Sequence, residues 1–390
     1  MKDKQIEKFI KEENARQESV INLIPSENYV SDDVLVALGS RFNNKYAEGY
    51  PRKRYYGGNS VVDSVEELCQ ERALELFSLS PKKWSVNVQA LSGSPANFAV
   101  YTALVPQGEA IMGMSLDQGG HLTHGQKVSA TGKFWRGVLY GVNKETEQLD
   151  FESLEQIAIN EKPAIIVAGF TAYPRVVDWK KFRKIADACG ALLMVDMSHI
   201  AGLVAGGMYP TPFKYADVVT TTTHKTLRGP RSALIFSKND NRELPQKINK
   251  AIFPGLQGGP HVNQIAGVAV ALKEASTPAF RKYAEQVIKN AKALADEMTK
   301  LGWRVISGGT DSHLLLVDVW MDGKGVTGKE AEARLEKNGI IVNKNTIPYD
   351  TRSPFDPSGI RIGSPAETTR GKKEKDMRAI AQKINTILRA

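Results

Sequence analysis

The sequence predicts an α/β protein: a mostly parallel seven-stranded sheet in a large domain, followed by a smaller α+β C-terminal domain. Three observations predict it. Between residues 85 and 236, short apolar or β-branched runs alternate with segments of helical periodicity, the order that builds a doubly wound sheet. One run, Ala191-Leu192-Leu193-Met194-Val195, is apolar throughout, as a strand covered on both faces must be, and it ends in Asp196. From 261 to 300 the pattern is helical with few breaks, and a second set of strands follows.

The strands of the large sheet read as 85–89, 110–114, 138–142, 164–169, 191–196, 217–223 and 232–236, with helices such as 178–188 between several of them. Upstream, 61–77 carries apolar positions at helical spacing. The first sixty or so residues lack strand alternation and hold turn signals such as Tyr55-Tyr56-Gly57-Gly58. Residues 1–50 therefore read as an arm that packs on the core or on a partner subunit, 51–275 as the large domain and 276–390 as the small one. The small domain shows strands at 313–319, 339–343 and 360–363 and closes with an amphipathic helix over 374–388. There is no internal repeat and no low-complexity tract.

Composition narrows the function classes. A chain of 390 residues with 42% hydrophobic and 24% charged residues has the make-up of an ordinary globular protein and room for two or three packed units. No apolar run approaches the ~18 residues of a membrane span. The start, Met1-Lys2-Asp3-Lys4-Gln5-Ile6-Glu7-Lys8, has no apolar signal core behind it, so a cytoplasmic protein without a membrane partner is expected. Cys69 and Cys189 are too few for a disulfide framework or a structural metal site and read as buried thiols. Lys and Arg number 52 against 43 acids, a net charge of +9. The positive residues are scattered and interleaved with acids, as at Lys372-Lys373-Glu374-Lys375, which describes a solvated face rather than a nucleic-acid site. A phosphorylated or polyglutamylated small ligand would be drawn to the same field.

Chemistry concentrates at strand ends. The segment 216–231, Ala-Asp-Val-Val-Thr-Thr-Thr-Thr-His-Lys-Thr-Leu-Arg-Gly-Pro-Arg, places Lys225 at the end of a β-rich run and against a turn. An isolated lysine there would merely cap a strand. Here Asp196 ends another strand, His199 lies three residues beyond it, and ligands of open α/β sheets bind at the carboxyl edge. A lysine and an acid converging there suit pyridoxal phosphate, whose aldehyde needs a lysine and whose ring nitrogen needs an anion. Ser92-Gly93-Ser94-Pro95-Ala96-Asn97 follows a strand and opens a helix, so its N–H groups could hold an anion, although a capped helix start explains that segment alone more simply. The turns Gln257-Gly258-Gly259-Pro260 and Gly119-Gly120-His121-Leu122-Thr123-His124-Gly125 could approach the same ligand. His121 and His124 have no further His or Cys nearby to complete a metal set, so no metal is expected and an imidazole stacked on a flat cofactor fits better.

Together these segments resemble the serine hydroxymethyltransferases, which are fold-type I pyridoxal phosphate-dependent transferases. The resemblance runs from Arg16-Gln17 to Thr369-Arg370-Gly371 and rests on seven motifs in the family's order. They are Leu23-Ile24-Pro25-Ser26-Glu27-Asn28, Asn44-Lys45-Tyr46-Ala47-Glu48-Gly49-Tyr50, Arg54-Tyr55-Tyr56-Gly57-Gly58, Gly119 to Gly125, Val195-Asp196-Met197-Ser198-His199-Ile200-Ala201-Gly202, Thr220 to Arg231, and Ser358-Gly359-Ile360-Arg361-Ile362-Gly363.

The resemblance implies an enzyme that interconverts serine and glycine and passes the hydroxymethyl carbon to tetrahydrofolate, giving 5,10-methylenetetrahydrofolate. It implies that Lys225 forms the Schiff base with pyridoxal 5'-phosphate, that Asp196 pairs with the ring nitrogen, and that His199 hydrogen-bonds the ring's 3-oxygen. His121 would stack on the ring, while His224 and Thr222 would flank the lysine. Gly93 and Ser94 would cradle the phosphate, aided by Tyr46 and Gly259 of a neighbouring subunit. Arg361 would grip the substrate carboxylate, with Ser26 and Tyr56 as further contacts. Glu48 would work as acid and base on the hydroxymethyl group and the folate. Leu116, Gly120, Leu122, Asn345, Ser353 and Phe355 match positions that hold tetrahydrofolate. Two positions depart from the family pattern: Thr171, expected to bind the cofactor, stands where serine is common, and Leu91, just before Ser92, where an aromatic residue or histidine is usual.

The implied assembly is a homodimer or homotetramer with shared sites, acting on serine, glycine and folate. A folate-independent aldolase for threonine-like 3-hydroxy amino acids would also keep Lys225, Asp196 and Arg361. Glu48, Tyr56, Asn345 and Phe355 favour the transferase. A scaffold or RNA-binding protein would have no use for the lysine, aspartate and arginine together.

Overall fold

The computed structural model describes residues 1–390. The large sheet comprises β1 (Trp84–Asn87), β2 (Ala110–Met114), β3 (Arg136–Tyr140), β4 (Ile165–Gly169), β5 (Leu192–Asp196), β6 (Val218–Thr222) and β7 (Ala233–Lys238). Their spatial order is β1-β7-β6-β5-β4-β2-β3. Strand β7 runs antiparallel to both its neighbours and every other pairing is parallel. All seven expected strands are present, with ends shifted by one or two residues.

Strands β2, β4 and β6 are buried at every position, because helices cover both faces of the sheet. One face carries a core that includes Phe182, Phe236 and Phe280, and the other a core that includes Tyr101, Trp135 and Ile252. The helix Trp179–Cys189 shows how sequence sets the packing. Asp178 caps the amides of Lys180 and Lys181, Gly190 ends the helix at φ 74°, and Trp179, Phe182, Ile185 and Ala186 form the buried stripe between. Cys69 lies in this large core, whereas Cys189 at the helix end is only half-buried, which corrects the expectation of two buried thiols.

The smaller sheet is antiparallel throughout, in the order β8 (Arg304–Val305), β9 (Leu314–Asp318), β11 (Gly359–Gly363), β10 (Asn343–Asn345). The strand expected at 339–343 is divided. Ile340–Ile341 leaves this sheet to pair in parallel with Ile21–Asn22 of the arm, and β10 begins only at Asn343. Leu23, fully buried, thereby joins the core of the small sheet. The helix Pro278–Lys300 ties the two cores together, giving Phe280, Tyr283 and Val287 to the large one and Leu294 and Met298 to the small one. By contrast, the helix Lys4–Ser19 buries no residue and leaves Phe9 and Ile10 exposed. No helix is long and apolar enough to cross a membrane.

Residues 47–54 fold into a tight pair of strands, Gly49–Tyr50 against Lys53–Arg54. The Arg54 guanidinium donates to the carbonyls of Ala47 and Gly49 at 2.9 and 2.8 Å, bracketing Glu48. It also meets Asp63 at 2.9 Å and the buried Glu66 at 2.7 Å, both on the helix Ser60–Leu76. Replacing Arg54 by Leu strands Glu66 without its counter-ion, which costs about 3–5 kcal/mol. We therefore expect guanidinium chloride unfolding of Arg54→Leu to give a loss of that size. A loss below about 1 kcal/mol, the scale of an exposed pair, would contradict this role.

Candidate active site

Asp196 ends β5, and in the parallel register it stands opposite Thr220 of β6, the strand that leads into Lys225. The acid and the lysine therefore reach the same carboxyl edge on adjacent strands. Over this edge opens a cavity of roughly 460 Å³. Its lining brings together Ser26, Gly93, Ser94, Leu116, Gly120, His121, Leu122, Thr171, His199, Thr222, His224, Lys225, Asn345 and Arg361, all singled out in the sequence. Asp196 forms the floor, in a narrow recess shared with His121, Thr171, His199 and Lys225.

Asp196 is held by four donors. Oδ2 accepts from Asn97 at 2.8 Å and lies 3.2 Å from Nε2 of His124, while Oδ1 accepts from the Ser198 amide and hydroxyl at 3.1 and 2.6 Å. Burial alone would raise its carboxyl. The bond and charge of His124, the nearby His121 and the Ser198 hydroxyl outweigh that and hold it well below the usual carboxylate range. Space for this arrangement comes from Gly169: a Cβ there would stand 2.6 Å from the Asp196 Cβ and 3.1 Å from the His124 ring.

Lys225 Nζ donates to Thr222 Oγ1 at 3.1 Å. Burial, against the pull of Asp196 and with Arg361 and Arg231 nearby, pushes its ammonium down to about 8. Arg361 projects from β11, with Nη1 donating to the Thr171 carbonyl at 2.6 Å and Nε to Asn343 Oδ1 at 3.1 Å. Desolvation lowers it to about 10. Neither Lys225 nor Arg361 has a carboxylate within ion-pair distance; Glu27 at the cavity wall is instead bonded to Asn22. Burial and the neighbouring cations lower His224 to about 3, and burial together with His124 lowers His121 to about 4, so these two imidazoles are neutral near pH 7. The Thr123 amide donates to His121 Nδ1 at 3.1 Å, so His121 carries its proton on Nε2.

At the other wall the helix Gly93–Leu104 starts without a side-chain cap, so its first amides face the cavity free. A Cβ on Gly93 would meet the Thr222 methyl at 2.7 Å, so only glycine leaves this approach open. These features fit pyridoxal phosphate. The uncapped amides with Ser94 would take the phosphate, the ionised Asp196 the ring nitrogen, and Lys225 the aldehyde.

Six of the expected residues lie elsewhere. Tyr46, Glu48, Tyr56 and Gly259 form a separate cluster in which both tyrosines are exposed and Glu48 and Gly259 half-buried: Tyr46 donates to Glu48 at 3.2 Å, its ring packs edge-on against Tyr56 with centroids 4.9 Å apart, and Gly259 lies against its face. Ser353 and Phe355 belong to an exposed turn, with Phe355 85% exposed. Sequence reasoning missed Asn97 and His124 as partners of Asp196, Asn343 as the support of Arg361, and His313, which lies against His199. Asn97 and His124 stood inside segments already noted. Nothing in the sequence pairs either with Asp196.

The doubly wound sheet, the edge lysine and the ionised acid below it define a fold-type I pyridoxal phosphate-dependent enzyme. The family model for serine hydroxymethyltransferase matches residues 1–384. A serine hydroxymethyltransferase of Acinetobacter baylyi is 53% identical over 386 residues, covering 99% of this chain and 91% of the relative. The chain belongs to the serine hydroxymethyltransferase family, and it interconverts serine and glycine with tetrahydrofolate as co-substrate. The folate-independent aldolase is not favoured.

The buried lysine has a measurable cost. Its folded pKa of about 8 lies below the ordinary value of 10.5, so between these values the unfolded chain binds more protons and stability rises with pH. Below about 8 the whole cost of burying the ammonium is present. In cofactor-free protein, Lys225→Met should therefore raise the unfolding free energy at pH 7 by on the order of 2–3 kcal/mol. The gain should shrink as pH rises from about 8 to 10.5. Equal stability of the two proteins at pH 7 would show that the ammonium is not desolvated.

Proposed function

We propose that the serine–glycine reaction is run by two groups of residues from different subunits, one lining the cavity and one on the exposed cluster of the neighbour. The observation that carries this reading is the pair of cations without a counter-ion, Lys225 and Arg361, in one cavity. A phosphate and an amino-acid carboxylate supply the missing negative charge. Arg361, its guanidinium fixed by Thr171 and Asn343, binds the substrate carboxylate in two-pronged fashion and so orients the α-carbon, with Ser26 as a further contact. The bound cofactor supplies an electron sink for the charge that develops at the α-carbon. Lys225 holds the cofactor aldehyde and, with a pKa near working pH, accepts and returns protons at the substrate amine. Thr222 sets the direction of its Nζ, and His224 flanks it as a neutral imidazole. With the cofactor bound, His199 would donate to the ring's 3-oxygen and His121 would pack on the ring, since both line the cavity.

Glu48, Tyr46, Tyr56 and Gly259 complete the neighbour's site, because they are displayed together on the surface and none lines the cavity of their own subunit. Glu48 moves protons between the hydroxymethyl oxygen and the folate. Leu116, Leu122 and Asn345 at the cavity wall, with the turn holding Ser353 and Phe355, take the folate. The unpartnered apolar side chains of the helix Lys4–Ser19 support a homodimer as the smallest active unit. A tetramer would be two such dimers. The domain limits in this reading are an arm at 1–50, a large domain at 51–275 and a small one at 276–390. Two free thiols and no disulfide suit the reducing cytoplasm.

Mixing two inactive variants tests the sharing. Glu48→Gln alone should lose at least about a hundredfold in folate-dependent serine cleavage, and Lys225→Ala should lose turnover altogether. If the sites are shared, random mixing leaves half the dimers mixed, each with one complete site of two, so about a quarter of wild-type activity returns. No recovery on co-refolding or co-expression would place Glu48 and Lys225 of one subunit in the same site.

A further inference from the structure

His313 is fully buried immediately before β9, on the small sheet, whereas His199 follows β5 on the large one. His313 Nε2 lies 3.1 Å from His199 Nδ1, and the two rings meet edge to edge, with centroids 5.3 Å apart and 30° between their planes. The second nitrogen of His313, Nδ1, is buried with no partner. His199 lines the cavity and its Nε2 has no partner within the chain.

Two neutral imidazoles that share one hydrogen bond have two arrangements. Were His199 to donate from Nδ1, His313 would have to carry its proton on Nδ1 and bury an N–H with nothing to accept it. In the reverse arrangement His313 donates from Nε2, and its buried Nδ1 is only a bare lone pair. Buried donors without acceptors are the rarer and costlier defect. A charged pair is disfavoured as well, since burial and the cations Lys225 and Arg361 push His199 well below its ordinary value and His313 down to about 3.

We propose that His313 is a positioning residue: by donating from Nε2 to Nδ1 of His199, it fixes His199 as a neutral imidazole with its proton on Nε2, a donor aimed into the cavity. The acceptor is the 3-oxygen of the cofactor, and this part rests on the placement of His199 given above. Because the bond joins the two sheets, the donor is set only when the small sheet is seated on the large one. Both backbones are pinned at this point, His199 by Thr226 Oγ1 donating to its carbonyl at 2.9 Å and His313 by the Ser364 amide at 3.0 Å.

The test is nitrogen-15 NMR of histidine-labelled holoenzyme, with the His199 signals identified by a His199→Asn variant. His313→Gln keeps an N–H where Nε2 stood, and His313→Phe keeps the shape without a donor. Wild type and His313→Gln should show His199 in one form, protonated on Nε2. His313→Phe should show a mixture of tautomers, with serine turnover reduced about tenfold, while His313→Gln stays within about threefold of wild type. A wild-type His199 protonated on Nδ1, or doubly protonated, would overturn the proposal. So would a His313→Phe protein with unchanged tautomer and rate. A wild type with the Nε2–H form but no serine turnover would reject the catalytic reading and leave the histidine pair standing.

Discussion

Two cations, Lys225 and Arg361, are held out of water in one cavity with no carboxylate against either. Charge buried in this way is costly unless something pairs with it, and the rest of the site is arranged around that demand. The sheet brings Lys225 to its carboxyl edge on β6, and the small sheet brings Arg361 across on β11. Neutral partners fix their directions: Thr222 for the amine, the Thr171 carbonyl and the Asn343 amide for the guanidinium. Such partners set geometry without cancelling charge. In the proposed function a cofactor phosphate and a substrate carboxylate would supply the missing negative charge, and their binding would offset the cost of burying these cations.

The polar groups around the cations divide the labour by protonation state. Asp196 alone is kept ionised, by Asn97, His124 and Ser198, and it lies where a protonated ring nitrogen would be stabilised. His121, His199, His224 and His313 are all driven toward the neutral form, chiefly by burial. A neutral imidazole can donate or stack without adding to the positive charge already present. Five of the six histidines thus lie at or behind the cavity, one as partner of the acid and four as uncharged donors or ring surfaces.

The large sheet was legible because burial on two faces forces apolar, β-branched runs of five or six residues, which stand out against helical periodicity. The lysine and acid were legible because each ends such a run. Arg361 was harder. In Gly359-Ile360-Arg361-Ile362-Gly363 the alternation buries both isoleucines and sends the arginine to the opposite face, which reads as solvent but is the cavity wall. Only the resemblance assigned it. The Ile21–Asn22 pairing with Ile340–Ile341 left no trace, since two residues are too few to show a period. His313 was invisible for another reason: a histidine before an apolar strand acquires meaning only when a second sheet places it 3.1 Å from His199.

The central claim is that Arg361 is left unpaired in order to hold a carboxylate. Its most direct test is the serine titration of Arg361→Lys holoenzyme, followed by the change in the cofactor's visible absorbance, with cofactor content measured on the same samples. A lysine keeps the charge but not the planar fork. The account predicts serine affinity weakened by about tenfold or more, the worth of a charge-assisted hydrogen bond, with cofactor content unchanged. An unchanged serine titration, or loss of cofactor in step with loss of serine binding, would contradict it.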